Sequence, residues 1–468
     1  MAGHVVFPHQ ITLYLSVMFH LAYDVRANSF FRPLPDAANS NASSPSLAAM
    51  VDGDIIIGGL FPVHQKGEKS CGPINLDRGV ERLESMLFTI DEINNRSDIL
   101  RGIKLGASIF DTCGRAPYAL EQSLEFIRAS ITSLDPTEFV CMDGSKAIAR
   151  HSPTAVAGVV GGSYSTVSMQ VANLLRLFKI PQISYASTSA SLSDKTRYDY
   201  FVRTVPPDTL QAKALADIVQ EFNWTYVSVV HSEGEYGESG IEFFSREAKA
   251  KNICIAADIE ISLSATNATY DDVIKGLLDK PEAKVVIVFL RHEDATGLLN
   301  AATRQNLTGK FVWVASDAWG SALAPVKNNA LVAQGAITLE LRSTPIKNFE
   351  KYYLNLNPRS NRRNPWFVEY WEEEHKCAWN GVVPTSIETA TRSSVKPCRG
   401  NEKVNRKITS QESKVQFIYD AVYAFAYALD KMHKDICPGV AGLCPLMAKI
   451  DGEKLLREYL LNVSFNGE

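Results

Sequence analysis

Apolar and polar positions follow two rhythms along this chain. From Asp54, the run Ile55-Ile56-Ile57-Gly58-Gly59-Leu60-Phe61 is almost continuously apolar, as in a strand covered on both faces. Behind it, Val80, Leu83, Leu87 and Ile90 recur every three or four residues and mark one face of a helix. The pair then repeats. The pattern predicts strands over 104–111, 225–231, 253–259, 284–290 and 311–315, with helices over 119–131, 237–250, 270–278 and 293–304 between or beside them. A long apolar helix is predicted over 414–433, another over 452–461, and a strand-like end over 462–465. Residues 343–412 are aromatic but irregular. Strands alternating with helices of this length predict an α/β fold with parallel sheets packed on both faces. A second series starts at Pro206-Pro207-Asp208, and two halves of similar size predict two lobes around a cleft, because single cores stop growing at this size.

The richest stretch runs from Val156 to Asp194. A run of small and β-branched residues ends in Gly161-Gly162, and hydroxyls follow at Ser163, Ser165, Thr166 and Ser168. A helical pattern continues through Val171, Leu174, Leu175 and Phe178 until Pro181. The next strand ends in a second hydroxyl cluster at Ser184, Ser187, Thr188 and Ser189. Two donor-rich strand ends at one sheet edge, one of them a helix N-terminus, can grip a small carboxylate. Ser165 and Thr188 can also cap helices, and the two roles are compatible. Arg78 and Arg82 lie four apart at the start of a helix, where cations oppose the macrodipole; they answer an anion or are simply solvated. Asp208 with Gln211 three later reads as a capping box.

Composition narrows the class. The chain has 468 residues, 46% hydrophobic and 21% charged, with net charge −4, which gives no electrostatic case for nucleic acid. Ile11 to Tyr23 has the length of a signal-peptide core, although no Lys or Arg precedes it, and Val25-Arg26-Ala27 offers a cleavage site. Residues 1–27 are thus expected to be a signal peptide and 28–51, rich in Ser, Asn, Ala and Pro, a disordered leader. No later segment is long and apolar enough to cross a bilayer. The eight cysteines fit an exported protein, as do sequons at Asn41, Asn95, Asn223, Asn267, Asn306 and Asn462. No cysteine pair or His/Cys cluster has zinc spacing, so no metal or other cofactor is expected. The polar stretch 132–154 carries a lone cysteine, Cys141, and reads as a surface loop. Absence of a Gly-x-Ser-x-Gly elbow, a P-loop and a zinc motif argues against an enzyme.

The runs GGLFPVHQKG, VANLLRLFKIPQISYASTSASLSDK, FNWTYVSVVHSEGEYGESGIE, RNPWF and QESK resemble the ligand-binding ectodomain of metabotropic glutamate receptors, which are class C G-protein-coupled receptors. The resemblance extends from Gly53 to Phe465, and its fine pattern is closest to the group II-like members and their invertebrate relatives. It implies a bilobed Venus-flytrap fold like that of periplasmic binding proteins. Lobe 1 would comprise 52–206 and 343–468, and lobe 2 would comprise 207–342. The family's cysteine-rich and seven-helix membrane domains are absent from this stretch, which would stand on the extracellular side of the plasma membrane, or be secreted if the chain truly ends at Glu468. The implied ligand is L-glutamate. Ser165, Ala186, Ser187 and Thr188 would meet its α-carboxylate and ammonium, and Tyr236 would cover the ammonium. Asp317, with Asp208 nearby, would counter that charge. Arg78, Arg82 and Lys414 would hold the distal carboxylate. Three cations and two aspartates match an ion with two carboxylates and one ammonium. At 316–319 this chain has Ser-Asp-Ala-Trp where the family usually has Ser-Asp-Gly-Trp. The resemblance also implies bridges Cys71–Cys113, Cys377–Cys398 and Cys437–Cys444, an interchain bridge at Cys141, and Cys254 left for the absent cysteine-rich domain. It implies a homodimer through Leu120, Leu124, Leu174, Leu177 and Phe178, and coupling to an inhibitory-type G protein through the membrane domain. The alternatives are a class C receptor for another amino acid, against which the three cations argue, and a secreted, non-signalling decoy.

A lone cysteine in an exported loop tends to pair between chains. Non-reducing electrophoresis of Cys141→Ser is therefore expected to lose a covalent dimer that wild type shows. A covalent dimer that persists would place the link at another cysteine.

Overall fold

The computed structural model describes residues 47–67, 70–131, 155–379, 396–404 and 411–465. The signal stretch, the leader up to Ser46 and Cys141 lie outside them.

The chain opens with β1 (Ala48–Val51), β2 (Ile55–Phe61) and a short hairpin of β3 (His64–Lys66) and β4 (Cys71–Ile74). Next come β5 (Leu105–Asp111), β6 (Val156–Gly161), β7 (Gln182–Ser184) and β8 (Phe201–Arg203). These build a six-stranded sheet in the order β1-β5-β2-β6-β7-β8, parallel except for β1. A second sheet holds β9 (Tyr226–Ser232), β10 (Cys254–Ile261), β11 (Val285–Phe289), β12 (Val312–Ala315) and β13 (Ile337–Thr338). Its order is β10-β9-β11-β12-β13, all parallel. The molecule is thus two doubly wound α/β lobes of the periplasmic-binding type.

Helices cover both faces. Around the first sheet run α1 (Gly79–Asn94), α2 (Ala116–Ile131) and α3 (Ser165–Leu175). Around the second run α4 (Asp208–Glu221), α5 (Glu235–Ala250), α6 (Asn267–Leu278) and α7 (His292–Arg304). The chain then returns to the first sheet through α8 (Phe349–Leu354), α9 (Phe367–His375) and the long α10 (Lys414–Ile436). Strand β11 shows why its run is wholly apolar. Val286 and Val288 pack with Ile274 and Leu298 of α6 and α7. Val285, Ile287 and Phe289 pack on the other face with Leu215 of α4 and Phe244 of α5. Burying one such side chain contributes roughly 1.5–3 kcal/mol. In the first lobe, α10 lies so close to β6 that a Cβ on Gly158 would fall 2.3 Å from the Phe425 ring.

The structure corrects the sequence reading in several places. Ala48–Val51, assigned to the leader, form an edge strand on β5 that buries Ala49. The aromatic 343–412 segment contains α8 and α9, whose rings sink into the main core: Phe349, Phe367 and Trp371 are fully buried. The last helix is interrupted. After an α-helical turn at Gly452–Lys454 it widens over Leu455–Tyr459 and tightens over Leu460–Asn462, and no strand follows among the described residues. At the start of α4, Pro207 holds the N-cap position with no side-chain cap, so Asp208 is not a cap.

Disulfides join Cys71 to Cys113, Cys377 to Cys398 and Cys437 to Cys444. Cys254 is a free, exposed thiol at the start of β10. His64, Asp111 and Cys113 gather at metal-ligand spacing, but the Cys113 sulfur is committed to Cys71. Among the described residues no helix is long and apolar enough to cross a membrane.

His64 is a clamp. Its Nδ1 lies 2.5 Å from Asp111 at the end of β5, and its Nε2 lies 3.2 Å from Glu369 of α9. Burial alone would lower its pKa, but the bonds to Asp111 and Glu369 outweigh that and raise it from 6.5 to about 9. The contribution to stability is full below pH 6.5, where both folded and unfolded imidazoles are charged, and is lost as pH rises to 9. Calorimetric unfolding should therefore show wild type losing up to roughly 3 kcal/mol, relative to His64→Gln, between pH 6.5 and 9. A constant difference between the two would mean the clamp carries no charge.

Candidate functional site

Both sheets turn the carboxyl ends of their strands toward one cleft, where open α/β sheets place their ligands. One wall comprises Pro62 after β2, Ser163, Tyr164 and Ser165 after β6, and Ala186 and Thr188 after β7. It also comprises Arg78 and Arg82 from the start of α1, and Glu412, Ser413 and Lys414 from the start of α10. The facing wall comprises Gly234 and Tyr236 after β9, Arg291 and His292 after β11, and Asp317 and Ala318 after β12.

The turn after β6 is built for close approach. Gly161 has φ +137°, open to glycine but not to L side chains. The carbonyl of Gly162 then accepts from Ser184 Oγ at 2.8 Å and from Ser187 Oγ and Ser168 Oγ at 3.3 Å. Ser187, fully buried, is thus spent on bracing the turn and lies outside the cleft lining. Ser165 opens α3 but does not cap it. Tyr164 holds the cap position without a side-chain cap bond, so the helix's first N–H groups stay available. Ser165 Oγ instead accepts from the Ser189 backbone at 3.2 Å and ties the two hydroxyl loops together.

The charged groups meet as pairs. Arg82, 3% exposed, makes a two-pronged bond to Glu412 at 2.6 and 3.1 Å and donates to Ser163 Oγ at 2.8 Å. Burial works against its charge, yet Glu412 more than compensates and holds it firmly protonated. Lys414 Nζ donates to Asp317 Oδ2 at 2.8 Å, so a cation on the first-sheet wall is joined to an anion on the second. Burial pushes the Asp317 carboxyl up, but Lys414, Gln211 and Tyr236 bring it below the ordinary range. Tyr236 is half-buried, its hydroxyl 2.7 Å from Ser316 Oγ and 3.3 Å from Asp317 Oδ1. Arg78, half-buried, donates across the cleft to the Ala318 carbonyl at 3.0 Å. Tyr164 Oη reaches Glu293 on the opposite wall at 2.6 Å. His292 stays neutral because burial drives it down to about 4.

Of the residues singled out from sequence, Arg78, Arg82, Ser165, Ala186, Thr188, Tyr236, Asp317 and Lys414 line this one cleft. Ser187 and Asp208 sit just behind it. Asp208 is fully buried, and Gln211 bonds its side chain rather than the helix backbone. Sequence reasoning missed Glu412, Gln211, Tyr164, Arg291 and Glu293. Glu412 carried a signal, standing two residues before Lys414 in the run QESK.

A family profile described as "Receptor family ligand binding region" matches residues 81–468. "Metabotropic glutamate receptor" of Drosophila melanogaster is 46% identical over 459 residues, covering 90% of this chain and 47% of that protein. "Metabotropic glutamate receptor 8" of Homo sapiens is 47% identical over 421 residues, covering 89% of this chain and 45% of that protein. The Mus musculus receptor of the same name gives the same identity and coverage. The chain spans about half the length of these relatives. With the profile covering most of the chain and the cleft formed by both sheets, the chain belongs to the receptor family ligand-binding regions, in a form similar to the ectodomain of metabotropic glutamate receptors.

Proposed function

We propose that the chain is the extracellular ligand-binding part of a metabotropic glutamate receptor, with lobe boundaries at 52–206 plus 343–468 and at 207–342, and that it binds L-glutamate in the interlobe cleft. The observation that carries this reading is the convergence of Arg78, Arg82 and Lys414 with Asp317 and the open N-terminus of α3 in that cleft. Ser165, Thr188 and the α3 N–H groups take the α-carboxylate. Asp317 and the Tyr236 ring take the ammonium. Arg78, Arg82 and Lys414 take the distal carboxylate. Ala186 shapes the pocket and Ser187 stiffens it from behind. The names of the relatives support glutamate over other amino acids. In the cleft Arg82 is engaged with Glu412 and Lys414 with Asp317, which supports a binding module over an enzyme.

Binding closes the lobes, because Tyr236 and Asp317 meet a ligand seated on the first lobe only when the walls approach. Closure reorients a homodimer. Its face is the adjoining α2 and α3 region, where Leu124 is 48% and Leu177 73% exposed beside half-buried Leu120, Leu174 and Phe178. In the full-length receptor the movement reaches an inhibitory-type G protein through the membrane domain.

Titration calorimetry with L-glutamate, aspartate, glutamine and glycine tests the ligand. Arg82→Ala would leave Glu412 buried without its partner, so the informative variant is Arg82→Ala with Glu412→Gln. It should weaken glutamate by roughly 2–5 kcal/mol, the cost of losing one half of a buried charge pair, and weaken alanine or serine much less. Equal losses for both ligands would place Arg82 away from the side-chain pocket. Closure has its own test. Tyr236→Ala should leave weak glutamate binding but abolish the compaction that small-angle scattering detects on adding ligand. Normal compaction at saturation would make the ring simple packing.

A further inference from the structure

Behind the cleft wall, two carboxyl groups share one amide. Gln211 Nε2 of α4 donates to Asp208 Oδ1 and, at 3.1 Å, to Asp317 Oδ1. Asp317 is neutralised by Lys414 of α10 and also accepts from Tyr236 of α5. Asp208 has no such partner. It is fully buried, and its Oδ2 meets no hydrogen-bond partner among the described residues. Arg203 of β8 spends its guanidinium elsewhere, on the carbonyls of Ser187 and Ser189 and the hydroxyl of Ser193. Thr188, which lines the cleft, accepts the Asp208 backbone N–H at 2.8 Å on its carbonyl, and Gln211 links the Asp208 carboxyl to Asp317 of the cleft lining.

We propose that an ammonium group bound between Thr188 and Asp317 drives a proton off Asp208, so that ligand affinity falls as the medium becomes more acidic. This rests on the reading that an α-amino acid occupies the cleft. The exchange balances in charge. The neutral Asp208 carboxyl ionises, its proton leaves to solvent, and the arriving ammonium faces two carboxylates in place of one. An unpaired carboxylate buried beside another anion favours its neutral form, whereas a cation a few ångströms away favours the ionised one. Burial first, then the Asp317 charge, raises Asp208 to about 7, while Gln211, Thr188 and Arg203 pull the other way. Tyr236 stays un-ionised, its pKa raised by burial and by both aspartates, and His292 in the cleft lining is already neutral. Asp208 therefore changes charge between pH 6 and pH 8.

The test is calorimetry of the purified chain with L-glutamate, whose own ammonium and carboxylates keep their charges over that range. Titrations at pH 6.5 in buffers of different ionisation enthalpy count the protons moved. Wild type should release roughly three-quarters of a proton per ligand, and its Kd should rise about tenfold between pH 8 and pH 6. Asp208→Asn should bind more weakly, with no proton release and a flat pH profile. The wild-type proton count stands even if that variant folds poorly. Glutamate binding with no proton released and constant affinity would overturn this inference and leave the glutamate reading intact. The same release from a folded Asp208→Asn would also overturn it. No heat with glutamate at any pH would overturn the reading of the site, and this inference with it.

Discussion

Lys414 and Asp317, 6% and 8% exposed, meet at 2.8 Å with one residue anchored in each lobe. Taking both charges out of water costs several kcal/mol per ion, and their attraction returns that only with good geometry and further hydrogen bonds. The surroundings supply them: Tyr236 and Gln211 complete Asp317, and Asp317 accepts the ammonium of Lys414. The pair therefore holds only while the walls are together. On the proposed reading a ligand adds its ammonium beside Asp317 and Asp208 and offers its distal carboxylate to Arg78, Arg82 and Lys414. A neutral amino acid brings the ammonium but no second carboxylate, so the three cations keep only their protein partners. Arg82 and Glu412 repeat this arrangement within the first lobe, and Arg82 is additionally steadied by Ser163 and lies 5.8 Å from the Tyr185 ring centroid.

This arrangement requires strand ends that do not move. The three serine hydroxyls on the Gly162 carbonyl and the Ser165–Ser189 link make the two hydroxyl loops one rigid unit. Much of the hydroxyl density in the sequence serves this stiffening, and fewer hydroxyls than the composition suggests face the cleft. The His64 clamp and the Cys71–Cys113 bridge fix the hairpin that follows Pro62, itself a residue of the cleft lining.

The architecture was legible in the sequence because its signals are local. Continuous apolar runs such as Val285–Phe289 and stripes such as Val80–Ile90 follow from burial on two faces or on one. Where contacts at a distance decide, the sequence was silent. Ala48–Val51 carry little alternation, and only pairing with Ser108 and Phe110 makes them a strand. The aromatic side chains of α8 and α9 disguise helices whose stability comes from the core of another segment. In the cleft, the residue types and family motifs located eight lining positions, but not who pairs with whom. That Asp317 meets Lys414, that Glu412 occupies Arg82, and that Gln211 bridges two acids depend on side chains separated by 97, 330 and 106 positions.

The seating of α10 on β6 has a consequence for how the protein is made. Gly158 lacks a side chain so that Phe425 can lie against the sheet, and the two are about 270 residues apart in the chain. Everything that forms the second sheet lies between them. A ribosome adding roughly 5–20 residues per second needs on the order of 10–50 seconds to span that distance. During that interval the face of the first sheet that α10 closes is covered in part by α1 alone, while the second lobe can already be complete. The nascent chain thus carries a half-covered apolar surface beside a second lobe that can already be finished, and the first core closes only when α10 arrives.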